Sequence, residues 1–186
     1  MRTEKQIKAA EVRRTKAILR MLKNMPKSRP VLKTVDIQDG KLYGTNAYLA
    51  FVLNKDIAEL PHCNENIGSY PEMKRIVDPV RQHVDYDHEQ SDIHDLDLDI
   101  LSSEIKNKSL YVKFGGGYFT AKLLKLLCDI ADQSENFVVY KAGESGGVPY
   151  HHCGVLNEDG LFFLLGVRLE SATTTQERII DVSLIK

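Results

Sequence analysis

Several groups of residues in this chain have types and spacings that could do chemistry. Gly143-Glu-Ser-Gly-Gly147 matches G-x-S-x-G, the turn that presents a nucleophilic serine between a strand and a helix. The residues that follow, Val148-Pro-Tyr-His-His-Cys153, alternate like a strand, so a glycine-rich hairpin loop is the expected structure around Ser145. His151 and His152 also follow the serine too closely to serve as the late histidine of that fold. His83, His88 and His94 stand among aspartates, a set that could hold a divalent cation. Asp85-Tyr-Asp-His-Glu-Gln90 begins like a calcium loop, yet it lacks the glycine and the distal glutamate that shape such a site. A solvated acidic loop is expected there instead. His151 and Cys153 share a strand face without an evident third ligand, and Gly115–Gly117 is expected to form a tight turn. A hydrolase using Ser145 or a His/Asp metal site is therefore the weakest of the functional alternatives, and no cofactor or metal is implied.

A different chemistry belongs to the first thirty residues. Residues 1–33 hold eleven Lys/Arg against Glu4 and Glu11, a charge of +9 in a chain whose net charge is -1. The remainder is therefore at -10. Its acidic extreme is 78–99, where Asp78, Asp85, Asp87, Glu89, Asp92, Asp95, Asp97 and Asp99 face Arg81 alone. At about 100° per residue, a helix from roughly Thr3 to Asn24 places Lys5, Arg13, Lys16, Arg20, Lys23 and Lys27 on one arc. Ala10, Ala17, Met21, Ile7, Met25, Ile18 and Leu22 fall on the other, and Pro26 and Pro30 end the helix. Such a stripe is either an ordinary solvated face or a row of sequence-independent phosphate contacts. Arg14 lies inside the apolar arc and must snorkel or find a buried partner.

The elements that would position these groups can be read from periodicity. At 186 residues and 42% hydrophobic content the chain suits one domain with a real core. No apolar run approaches the roughly eighteen residues of a membrane span, so a soluble, cytoplasmic protein is expected. Three widely spaced cysteines, Cys63, Cys128 and Cys153, suggest buried thiols in a reducing compartment. After the first helix, 31–37, 41–43 and 48–53 read as three strands, with Asp39-Gly40 turning the first pair. A linker-like stretch and a short segment at Glu72–Val77 follow. The pattern then recurs: a strand at 109–114, a helix at 118–133, and strands at 137–141, 148–156 and 161–169. The terminal 178–185 segment reads as a strand that could pair back and supply the leading strand that the first copy lacks.

The ordered motifs resemble those of bacterial DNA polymerase III beta sliding clamps. Gly44-Thr-Asn-Ala-Tyr-Leu-Ala50, after a basic helix and a hairpin, is similar to that family's T-D-G-[HY]-R-L-A segment, with Asn46, Ala47 and Leu49 replacing its Asp, Gly and Arg. Gly68-Ser-Tyr-Pro-Glu-Met-Lys-Arg-Ile-Val77 resembles G-x-F-P-D-Y-x-R-V-[IL]-P. Leu164-Leu-Gly-Val-Arg-Leu169 is similar to a closing M-P-[MV]-R-L, with Gly166 in place of its Pro. The resemblance implies an α+β DNA-clamp (processivity) fold: two βαβββ-like halves with helices packed on antiparallel sheets. It divides the chain into a single domain over 1–170, made of a half at about 3–77, an acidic insertion at about 78–105 and a half at about 106–170. A tail or added edge strand occupies 171–186.

The resemblance also implies function. The expected activity is non-enzymatic, sliding-clamp-like association with double-stranded DNA, independent of sequence, through the basic helix face, with a homo-oligomeric ring as one assembly. The residues carried over to the family's peptide-binding pocket are Thr45, Tyr48, Pro71 and Leu165, which would receive a polymerase or other clamp-binding peptide. The alternative keeps the fold without DNA binding, as a protein interaction module that uses this pocket or docks on a clamp by its tail. Asp181-Val-Ser-Leu-Ile185 resembles the Q-L-[SD]-L-F docking peptide of clamp clients.

Overall fold

The computed structural model describes residues 3–86, 111–114, 116–131, 138–145, 148–167 and 179–181. The described residues form a mixed α+β structure with largely antiparallel sheets and three α-helices, so that much of the expected class is observed. Helix α1 spans Glu4–Lys23. It begins with a capping box in which the Thr3 hydroxyl accepts from the Gln6 amide and Gln6 reaches back to the Thr3 amide. Strands β1 (Asp36–Gln38), β2 (Lys41–Thr45) and β3 (Leu49–Leu53) form the first meander. Helix α2 covers Lys74–Tyr86. Strands β4 (Tyr111–Phe114) and β5 (Gly117–Thr120) form a hairpin that leads into α3 (Ala121–Ala131). Strands β6 (Val138–Ser145), β7 (Val148–Asn157) and β8 (Gly160–Leu165) make the second meander, and β9 is Ile179–Asp181.

The two meanders join edge to edge. Their six strands run β1-β2-β3-β8-β7-β6, and the central seam pairs Leu49 with Leu164, Phe51 with Phe162 and Leu53 with Gly160. Because side chains alternate across a strand, the seam sends two sets of residues to opposite faces. Leu49, Phe51, Leu53, Phe162 and Leu164 join Ala17, Ile18, Met21 and Leu22 of α1 and Leu124, Leu127 and Ile130 of α3 in one core. Ala50, Val52, Leu161 and Phe163 meet Met73, Val77 and Val80 in a second. The sheet is thus covered on both faces, by α1 and α3 on one and by α2 on the other.

Three elements differ from their sequence expectation. Residues 31–37 are not a continuous strand: Pro30–Lys33 is a 3-10 turn, closed by the Thr34 hydroxyl donating to the Val31 carbonyl at 2.6 Å, and only Asp36–Gln38 pairs as β1. Proline at its first position fixes the turn's φ. The segment expected to end at Val77 continues as a helix to Tyr86, into the acidic stretch expected as an insertion. Met73, Val77 and Val80 recur at helical spacing and bury against the sheet, and this burial offsets the backbone bond that Pro79 cannot donate. The second helix starts at Ala121 rather than Tyr118. Gly117–Thr120 alternates buried and half-buried positions and pairs with β4, placing Phe119 in the core. Of the terminal segment, expected to pair back and supply the leading strand that the first half lacks, Ile179–Asp181 pairs instead with the second half's leading strand, parallel to β4, with Tyr111 opposite Ile179.

Candidate functional site

Helix α1 is anchored by the residue that its apolar arc seemed unable to accommodate. Arg14 is 4% exposed. Its Nε donates to the Ile130 carbonyl at 2.7 Å, one terminal nitrogen donates to the Ala131 carbonyl at 3.0 Å, and the same nitrogen meets Asp159 Oδ2 at 2.6 Å. The guanidinium also lies 5.4 Å from the Phe162 ring centroid. Arg14 therefore caps the last carbonyls of α3, where a cation is favoured by the helix dipole. The pairing of Arg14 with the end of α3, and of Arg20 with Asp129 one step earlier, sets the two helices antiparallel.

With the apolar side so fixed, the cationic arc faces outward. Lys5, Arg13, Lys16, Arg20, Lys23 and Lys27 are all exposed. Glu11, the one acid within the helix body, is taken by Lys55 from the loop after β3. Among the described residues, Arg20 alone of the six has a carboxylate partner, Asp129 at 3.8 Å. Asp129 is shared with Lys125 at 3.9 Å. The first two turns of α1 are exposed all round, so Ile7, assigned to the packing arc by its angle, is 47% exposed instead.

The segment that raised the pocket expectation is a tightly bonded turn. Thr45 is buried, its hydroxyl donating to the Leu49 carbonyl at 2.9 Å and accepting from the Ala47 amide at 3.0 Å. Asn46 Oδ1 accepts from the Tyr48 and Leu49 amides at 3.0 and 2.7 Å, and Ala47 takes a positive φ of 73°. This arrangement turns Tyr48 outward, 63% exposed, while its carbonyl accepts from the Leu165 amide at 2.8 Å. Pro71 has its carbonyl accepting from Gln38 of the edge strand β1. Tyr48 and Leu165 are thus neighbours, Thr45 serves the turn, and Pro71 is not joined to them by any described contact.

Tyr48 instead borders a cleft of about 470 Å3 between the end of α1 and the start of α3. Arg20, Met21, Met25, Lys122, Leu123 and Leu126 contribute to its wall. Sequence inspection missed this cleft, because Leu123 and Leu126 read as core positions and Met25 as the end of a packing stripe. The one available signal was Met25-Pro26, an apolar residue followed by a helix stop.

Among the described residues no catalytic constellation is seen, and the side chains of His83 and Ser145 lie outside them. Ser145 pairs with Val148 at the end of the β6–β7 antiparallel hairpin, without the helix that a nucleophile elbow requires. His151 packs beside Gly117 and Gly166 near the β4–β5 turn, whereas His152 meets Phe163, on the opposite face, edge to face with centroids 6.4 Å apart. Gly116 and Gly117 turn a hairpin and do not open a helix. Among the described residues no group of His, Cys, Asp and Glu side chains comes together to hold a metal. His88, His94 and most of the acidic 78–99 segment lie outside the described residues, as does the tail beyond Asp181. Burial pushes the Cys128 thiol up to about 12, and Cys153, fully buried, is also raised well above its ordinary value. Neither is suited to nucleophilic work. No described helix is long and apolar enough to cross a membrane.

Comparison with family models, with curated proteins and with solved structures found no match to this chain.

Proposed function

We propose that this chain is a non-enzymatic, sliding-clamp-like protein that associates with double-stranded DNA through the cationic face of α1. The observation that carries the proposal is the exposure of Lys5, Arg13, Lys16, Arg20 and Lys23 along one side of a helix whose other side is locked into the core by Arg14, with Lys27, expected on the same arc, exposed in the turn beyond the helix end at Lys23. From Lys5 to Lys23 the helix rises roughly 27 Å, a length over which successive phosphates of a duplex strand recur about every 3.4 Å. Cations in such a row contact phosphate oxygens without regard to base sequence.

The clamp-like architecture is part of the same proposal. In its favour, each half supplies a helix, α1 or α3, to one face of the sheet and a three-stranded meander to the sheet itself, and the meanders meet in an approximately symmetric seam. The test is binding to two duplexes of unrelated sequence. Similar affinity for both, lost on changing Lys16, Arg20 and Lys23 to Glu, supports the proposal. Undiminished affinity in that variant removes it.

A further inference from the structure

A cavity of about 380 Å3 lies between the middle of α1 and the loop that follows β3. That volume falls in the lower part of the roughly 300–1,000 Å3 range of small-molecule sites. Its wall includes Arg14, whose guanidinium the fold uses only in part. Nε and one terminal nitrogen, Nη2, are taken by the Ile130 and Ala131 carbonyls and by Asp159. The other terminal nitrogen, Nη1, has no hydrogen-bond partner among the described residues, and it is not sealed from solvent. A cationic donor on a side chain fixed in the interior, 4% exposed, is thus left for whatever enters the cavity. We infer that this cavity binds a small zwitterion, an α-amino acid with an apolar side chain.

The charges of the lining select that class. Arg14, Lys16 and Lys55 stand against Glu11, Asp56 and Glu59, so the lining carries no net charge. Most of these groups are already engaged. Lys55 holds Glu11, Arg14 holds Asp159, and Asp56 accepts from the Ile57 amide at 2.6 Å and lies 3.3 Å from the His62 ring. Lys16 and Glu59 are left, one of each sign, with no ion-pair partner among the described residues. A ligand carboxylate is drawn to Arg14 Nη1 and Lys16, and its ammonium to Glu59. Thr15 adds a neutral oxygen, since its hydroxyl donates to the Glu11 carbonyl at 3.0 Å and can still accept. The half-buried Ile57 and the exposed Val12 supply the apolar contact for the ligand's side chain.

Other occupants fit less well. A DNA phosphate would have to pass Glu11, Asp56 and Glu59 to reach a nitrogen inside the fold. A metal ion would meet three cations, and among the described residues no group of side chains converges to hold one. The exposed Ile7, Leu19, Ile37, Ile76 and Leu156 are not part of the lining, so a protein surface would gain no apolar contact from them here. Lys16 also belongs to the α1 stripe, but the zwitterion site does not depend on the DNA contact and is tested without it.

The experiment is calorimetric titration of the full chain, without DNA, with L-leucine, L-isoleucine and L-methionine. Saturable binding of at least one, with a Kd on the order of 100 μM, is expected. Removing either charge from the ligand, as in its amide or in the corresponding acid without the amino group, should weaken binding at least about tenfold. Lys16→Ala and Glu59→Gln should each weaken it by about the same factor. Both substitutions are at exposed positions, so folding is preserved. Glu59→Gln should leave the affinity for the acid without the amino group unchanged, which a general loosening of the loop would not. Absence of saturable binding of all three amino acids overturns the inference, as does binding that neither variant alters. An acid without the amino group bound as tightly as the amino acid overturns it in favour of a plain carboxylate site. Inorganic phosphate bound more tightly than any of the three, and lost in Lys16→Ala, overturns it in favour of a phosphate contact.

Discussion

Arg14 Nε and the Ile130 carbonyl, 116 positions apart in sequence, lie 2.7 Å from each other in the interior of the molecule. This contact ties the first half of the chain to the second and decides which side of α1 meets the core. It also settles an apparent contradiction, since a guanidinium in an apolar arc is tolerable when its donors cap a helix and its charge meets Asp159.

Replacing Arg14 by Met keeps much of the side chain's bulk but leaves the Ile130 and Ala131 carbonyls without their donor and Asp159 without its cation. The expected loss is about 3 kcal/mol. It should appear as a lower urea midpoint with an unchanged m-value, and Asp159→Asn, at a half-exposed carboxylate, should cost clearly less. Equal losses in the two variants would place the stabilisation in the ion pair and not in the cap.

Gly44 is expected to tolerate no side chain. A Cβ built there falls 2.3 Å from Cζ of Phe51, its cross-strand partner, whose ring is fully buried. Gly44→Ala should therefore destabilise the fold by about 3 kcal/mol, the upper part of the range for overpacking. Thermal unfolding measures this, and an unchanged transition would mean that the ring can move aside.

The three thiols should differ in reactivity. Cys63 is half-buried in a loop, its Sγ donating to the Gly68 carbonyl at 3.3 Å, while Cys128 and Cys153 lie in the core. With an aromatic disulfide reagent near pH 8, one thiol should react in the native state and two only at the rate of unfolding. Cys63→Ser should abolish the fast phase. Three thiols reacting together would contradict this burial.

Alkaline pH should weaken the fold. Burial raises Cys128 to about 12 and raises Cys153 and Tyr70 strongly, so in the folded state these groups keep their protons at pH values where the unfolded chain has lost them. Between about pH 9 and pH 12 the unfolded chain therefore binds fewer protons, and stability falls as pH rises. Below about pH 8 these groups are neutral in both states and add no slope. Urea midpoints at several pH values measure this, and a midpoint that holds constant through pH 11 would show that none of the three is shifted.

Much of the architecture was legible in sequence because it rests on periodicity. Helix α1 and its cationic arc follow from 3.6-residue spacing, and the hairpin turns of the first meander and of β4–β5 follow from Asp39-Gly40 and the glycines near 116. The rest depended on contacts between distant segments. Nothing in the local pattern around Arg14 names Ile130 and Ala131 as its partners. The path of α2 through Pro79 is dictated by a sheet face that forms only when β3 meets β8. Gly44-Thr-Asn-Ala47 was legible as part of a family-like segment, but what it creates is an outward Tyr48, and the cleft there takes its walls from helices that the sequence separates by about a hundred residues.

The central claim is tested most directly by measuring duplex DNA affinity as a function of salt. Six phosphate contacts, five from the α1 stripe and one from Lys27 in the turn after it, predict a slope of log affinity against log salt of about -5, falling to about half in the variant with Lys16, Arg20 and Lys23 changed to Glu. An affinity independent of salt, or a slope identical in the two proteins, would contradict it.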